Sequence, residues 1–177
     1  MIRVEPGPWA AMVAHARATY PNECCGAMLG VTKGKTKNVV EAVVLENAFE
    51  GAQATRYELR PKDLLAADRA ARERGMDLIG IYHSHPDCDA YFSTTDLKNS
   101  CPWYSFVVLS IQKGEFDHAN SWLPNAEQTE AAKEKLVRGR AKRKAGVEPA
   151  RKRVDRAPQT ASGKRPPAKT RRPLQAR

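Results

Sequence analysis

The sequence predicts an α/β or α+β domain on a mixed sheet, followed by a basic tail. Three observations carry this. Runs with helical spacing alternate with β-branched, strand-like runs, in the order helix, three strands, helix, strand, short helix, two strands. Hydrophobic residues are 41% of the 177 and thin out sharply towards the end. Charge is divided as well: residues 133–177 hold 17 Lys and Arg against 3 Asp and Glu, while residues 1–132 hold 13 against 17. The net +10 therefore belongs to the tail. It gives no ground for reading the folded part as a nucleic-acid binder.

The elements follow in order. After Pro8, WAAMVAHARATY predicts a helix over 8–19, with His15 on its exposed face. PNE is a turn, and CCGAMLGVTK is a strand ending near a Lys33-Gly34-Lys35 hairpin tip. TKNVVEAVVLENAF is a second strand, and TRYELR, with short alternation, a third. PKDLLAADRAARERG runs from Pro61 to Gly75 as an amphipathic helix. DLIGIYHSH is a buried strand that ends in polar residues. STTD opens a short helix, with Ser93 as N-cap and Asp96 in the capping-box position. YSFVVLSI and DHANSWL are strands. AEQTEAAKEKL reads as helical. The domain is expected over 1–130. Residues 131–177, rich in Pro, Lys and Arg with few apolar residues, are expected to be a disordered tail, able at most to bind polyanions weakly through charge.

The opening MIRVEPGPWAAMVAHARATY lacks a secretory apolar core, and no run approaches the ~18 apolar residues of a membrane span. A cytoplasmic protein with no membrane partner is expected. The four cysteines, Cys24, Cys25, Cys88 and Cys101, form no CxxC pair. A reducing compartment would keep them mostly as thiols, with a Cys88–Cys101 disulfide as the alternative. Cys24 and Cys25 read as small buried residues.

The chemistry gathers in GIYHSHPDCDAYFSTTD, residues 80–96. Two of only four histidines, His83 and His85, sit one residue apart at a strand end, so both side chains point the same way. Asp96, in the first turn of the next helix, can supply a third ligand and complete the protein side of a catalytic zinc site. A pair of buried, hydrogen-bonded histidines is the plainer alternative. Ser93 and Asp96 likewise have a complete reading as a helix cap, which competes for the Asp96 carboxylate. Hydrolysis would need a carboxylate outside the ligands, for which Glu23 is one candidate among many, and an oxyanion donor, for which Ser93 is placed. Asp87 and Asp89 read as solvated loop charges, with contact to substrate as the alternative, and His118 as a surface residue rather than a fourth ligand. Trp103 and Tyr104 read as packing in or near the core, or lining a groove.

HSHPDCDAYFSTTD fits the JAMM (MPN+) pattern of His-x-His, seven residues, Ser, two residues, Asp. PNECCGAMLG resembles the Glu-bearing segment of that family, and PWYSFVVLS and SWL are similar to its small prokaryotic members. The resemblance covers about residues 1–125. It implies the cytidine-deaminase-like MPN fold, a mixed, curved central sheet flanked by helices. It implies that His83, His85 and Asp96 bind one Zn2+ per chain. It further implies that Glu23 deprotonates the attacking water and later protonates the leaving amine, while Ser93 stabilises the oxyanion. The implied function is a zinc metallopeptidase or isopeptidase cutting after the C-terminal Gly-Gly of a ubiquitin-like or sulfur-carrier protein. Release of an amino acid such as cysteine from a carrier-protein adduct is the alternative, as is a non-catalytic module recruited by its basic tail. The chain departs from the pattern at its end, where the β segment usual in the family is replaced by the helical-looking AEQTEAAKEKL.

Overall fold

The computed structural model describes residues 1–139; the expectation of disorder from residue 140 onward lies outside the described residues. Eight strands and three helices alternate: β1 (Ile2–Val4), α1 (Pro6–Thr19), β2 (Cys25–Lys33), β3 (Thr36–Leu45), α2 (Pro61–Arg72), β4 (Asp77–Pro86), α3 (Thr94–Lys98), β5 (Ser105–Gln112), β6 (Glu115–Pro124), β7 (Ala131–Glu134) and β8 (Leu136–Arg138). One mixed sheet holds all the strands, in the order β7-β6-β5-β4-β2-β3-β1-β8. The pairs β1–β3, β1–β8 and β4–β5 are parallel and the others antiparallel. The two strands that end this order, β7 and β8, are separated in the chain only by Lys135. The sheet must therefore curl almost onto itself, which gives the curved mixed sheet expected from the sequence.

Strand alternation divides the apolar residues between two cores. From β2, Met28 packs with Ile2, Val4, Met12 and Leu109 beneath α1. Its neighbours Ala27 and Leu29 point the other way and pack with Ala67, Ala71 and Leu78 beneath α2. Each helix supplies a stripe at i, i+4 spacing: Pro8, Met12 and Ala16 from α1, Ala67 and Ala71 from α2. His15 is half-buried rather than exposed, because its Nδ1 meets the Tyr82 hydroxyl at 3.0 Å.

Two expectations fail, both because backbone pairing outweighs local pattern. TRYELR forms no strand; it runs as irregular coil up to α2. AEQTEAAKEKL, rich in helix formers, forms β7 and part of β8 instead of a helix. β6 and β1 would otherwise leave open hydrogen-bonding edges, and the segment fills them, pairing Trp122 with Lys133 and Ile2 with Leu136. Leu136 also packs on the α1 core. The sheet thus takes in residues 131–138, which composition had assigned to the tail. No helix among the described residues is long and apolar enough to cross a membrane.

The close approach of β4 to β5 needs a glycine. Gly80 pairs with Ser105, and a Cβ there would overlap the Ser105 carbonyl oxygen and crowd the Met28 methyl. Gly80→Ala is expected to cost about 1–3 kcal/mol and lower Tm by roughly 3–10 °C in a thermal melt. Burial also lowers the pKa of His15. The unfolded chain, titrating near 6.5, then takes up the proton first, so His15 makes stability fall as pH drops below about 6.5. Denaturant titrations at pH 7.5 and 5.5 are expected to show a smaller loss in His15→Gln than in wild type.

Candidate metal centre

β4 lies between β2 and β5, and its C-terminal end carries both histidines. His83 pairs with Cys25 on one side and Val108 on the other; His85 pairs with Ser110. Both imidazoles are buried and turn their Nε2 atoms to one point, 3.2 Å apart. Asp96, also buried, brings Oδ1 to 3.4 Å from His83 Nε2 and Oδ2 to 3.8 Å from His85 Nε2. The three potential ligand atoms lie within 4.8 Å of one another.

The state of one imidazole follows from its partner. His85 Nδ1 lies 2.9 Å from the Asp89 carbonyl oxygen, which can only accept, so Nδ1 carries the hydrogen. In the neutral ring Nε2 is left with a bare lone pair facing its neighbours. Two convergent imidazole nitrogens and a carboxylate, all removed from water, suit a zinc-like cation, with tautomer fixed from outside by a carbonyl. His83 Nδ1 is a buried nitrogen without a hydrogen-bond partner among the described residues.

The rival readings of Asp96 are both realised, one on each oxygen. Oδ2 accepts from the Ser93 N–H at 2.8 Å and from its hydroxyl at 2.6 Å, while the Asp96 N–H donates to Ser93 Oγ at 3.0 Å. That is a complete capping box for α3. Oδ1 remains turned to His83. Burial pushes the Asp96 pKa up, but the His83 charge, the two imidazoles beside it and the Ser93 hydrogen bond outweigh it and hold the group well below the usual range.

Glu23 precedes β2 and is 6% exposed. The Cys24 N–H donates to Ser84 Oγ at 2.9 Å, and the Ser84 N–H to the Cys24 carbonyl at 3.1 Å, tying Glu23 to the end of β4. Glu23 stands outside the three-residue ligand cluster and lines the same cleft of about 470 Å³ as His85, Ser93 and Asp96. Burial raises its pKa, partly offset by His83 and His85. All five residues singled out from the sequence are thus brought together.

Other expectations fare differently. Burial pushes the Cys24 and Cys25 thiols up to about 12, which leaves them inert. Cys88 and Cys101 are free thiols, both on the cleft wall. His118 lies outside the ligand cluster and bonds Asp117 at 2.8 Å. Tyr104 lines the cleft, whereas Trp103 is exposed. Asp87 is not a loose loop charge. It sits at φ 51°, its Oδ1 accepts from the Lys113 N–H at 2.7 Å, and its Oδ2 accepts from the Tyr20 hydroxyl at 2.8 Å. It braces the loop whose Asp89 carbonyl holds His85.

Sequence reasoning missed two aromatics. Tyr57 stacks on His83, with ring centroids 4.6 Å apart and planes at 28°. Tyr91 meets His85 edge-on at 4.8 Å. Tyr91 lies inside the motif and could have been noticed there. Tyr57 lies 26 positions before His83 in a segment read as a strand, and no spacing signals it. Loss of the cap is measurable: Ser93→Ala is expected to cost about 1 kcal/mol in denaturant unfolding, with Ser93→Thr keeping most of it.

Comparison with known proteins accords with this geometry. The model of prokaryotic homologues of the JAB domain matches residues 8–124. The chain is 31% identical to a desampylase of Haloferax volcanii over 105 residues, 56% of this chain and 73% of that one. It is 36% identical to a CysO-cysteine peptidase of Mycobacterium tuberculosis over 103 residues, 58% of this chain and 68% of that one. A solution structure of a Desulfitobacterium hafniense protein matches with a TM-score of 0.70 at 25% identity, covering 80% of this chain and 94% of that one. One from Salinibacter ruber matches at 0.59 and 33%, covering 77% and 90%. With its motif, its curled mixed sheet and a family match over most of the described residues, the chain belongs to the prokaryotic JAB-domain family.

Proposed function

We propose that the protein is a zinc-dependent peptidase or isopeptidase that cuts after the C-terminal Gly-Gly of a ubiquitin-like or sulfur-carrier protein. The observation that carries this is the meeting of two imidazole nitrogens and a carboxylate in a cleft that also holds a separate buried carboxylate, Glu23. His83, His85 and Asp96 would hold the ion. Zinc in such a site supplies Lewis acidity, which acidifies water to a pKa of about 7 and polarises a carbonyl.

The chain's own groups do the rest. Glu23 takes the proton of the attacking water and returns it to the leaving nitrogen, a role suited to a carboxylate whose burial raises its affinity for protons. Asp89 keeps His85 in one tautomer through its carbonyl. The substrate is suggested by the desampylase and CysO-cysteine peptidase relatives. The second of these supports another reading of the same machinery, release of a single amino acid from a carrier protein.

Purified wild type is expected to contain about one zinc per chain by elemental analysis, and His83→Ala/His85→Ala to contain none. Wild type is expected to cleave a β-grasp protein fused through its Gly-Gly end, and to stop when a chelator strips the metal. Glu23→Gln is expected to keep its zinc and lose about 10²–10⁴-fold in kcat. Zinc without cleavage of the fusion, but with release of cysteine from a carrier adduct, would favour the second reading. A metal-free wild type after reconstitution would sink both.

A further inference from the structure

Amide hydrolysis builds negative charge on the carbonyl oxygen, and a donor aimed there lowers the barrier. Ser93 already commits its hydroxyl proton within the site. Its hydroxyl donates to Asp96 Oδ2 at 2.6 Å, and the same oxygen accepts the Asp96 N–H. Turning that proton to a substrate would keep both bonds of the α3 capping box but take a hydrogen bond from Asp96.

Tyr57 is in the opposite condition. Its ring lies against His83, and the residue lines the cleft with Glu23, Ser93 and Asp96. The hydroxyl has no hydrogen-bond partner among the described residues, although the Asn47 and Gln53 side chains tie down the rest of its loop through the Glu23, Arg56 and Phe49 carbonyls. A phenol carries its hydrogen at neutral pH and can donate it.

The geometry points to Tyr57 as a catalytic residue whose phenol donates a hydrogen bond to the oxygen of the scissile carbonyl. This rests on the peptidase reading above. Water adds to the carbonyl carbon, the π pair moves onto the oxygen, and Glu23 takes the water's proton. Tyr57 holds that oxygen and keeps its own proton. Collapse re-forms the carbonyl and breaks the C–N bond, and the proton on Glu23 passes to nitrogen. The stack on His83 fixes the ring, so little order is lost when the bond forms.

The test compares wild type with Tyr57→Phe, which keeps the ring on His83 and removes only the hydroxyl. Cobalt-loaded proteins are titrated with acetohydroxamate, followed by visible absorption, and zinc-loaded proteins are assayed on the Gly-Gly fusion. Cobalt content is expected to stay equal. Acetohydroxamate is expected to bind Tyr57→Phe about tenfold more weakly, and kcat to fall about 10²-fold with KM little changed. A Tyr57→Phe protein that matches wild type in both readouts, or that loses its cobalt, overturns the proposal. If wild type leaves the fusion uncut, the peptidase reading fails by itself and the acetohydroxamate titration still decides Tyr57. If wild type takes up no cobalt, both fall.

Discussion

β4 is hydrogen-bonded along both edges, antiparallel to β2 and parallel to β5, and nearly all of it is buried. Pairing with β2 puts Cys25 against His83 and so delivers Glu23, two residues earlier, to the same end of the strand. Pairing with β5 puts Ser110 beside His85, and Ser110 Oγ donates to the Cys88 carbonyl at 2.7 Å, pinning the loop that follows. A slip of one residue in either register would turn both imidazoles to the other face. The site therefore depends on backbone pairing more than on contacts among its own side chains.

The cost of the arrangement is electrostatic. Two carboxylates, Glu23 and Asp96, and two imidazoles are held almost without water. Buried charge is expensive unless it is paired. Asp96 meets this with two hydrogen bonds from Ser93 and with the imidazoles beside it, whereas Glu23 meets it by becoming harder to ionise. A divalent cation between the imidazoles and Asp96 would repel protons from the ligands and draw Glu23 towards its charged form. The two carboxylates are thus set for different work by their surroundings.

Much of this was legible in the sequence, and the reason is local. His83 and His85 share a strand face because of strand periodicity, and Ser93 and Asp96 share a helix turn because of capping geometry. Such relations span a few residues and survive any fold. The failures concern relations that span many. AEQTEAAKEKL has helical propensity, but the open edges of β6 and β1 decide its conformation. TRYELR alternates like a strand, but it pairs with none of the strands. Tyr57 and Asp87 carry no local mark, since one is defined by the ring it covers and the other by Tyr20 and Lys113.

The curl of the sheet also bears on how the chain reaches this state. Ile2 pairs with Lys37 and with Leu136, so β1 is completed by a strand made more than a hundred residues later. Closing so long a span costs chain entropy before any packing offsets it, and such contacts form slowly. Until residues 136–138 arrive, β1 presents a bare edge to whatever is nearby. A nascent chain of this protein is therefore exposed to strand pairing with its neighbours while the stretch between β1 and β8 is made, although the finished sheet hides that edge.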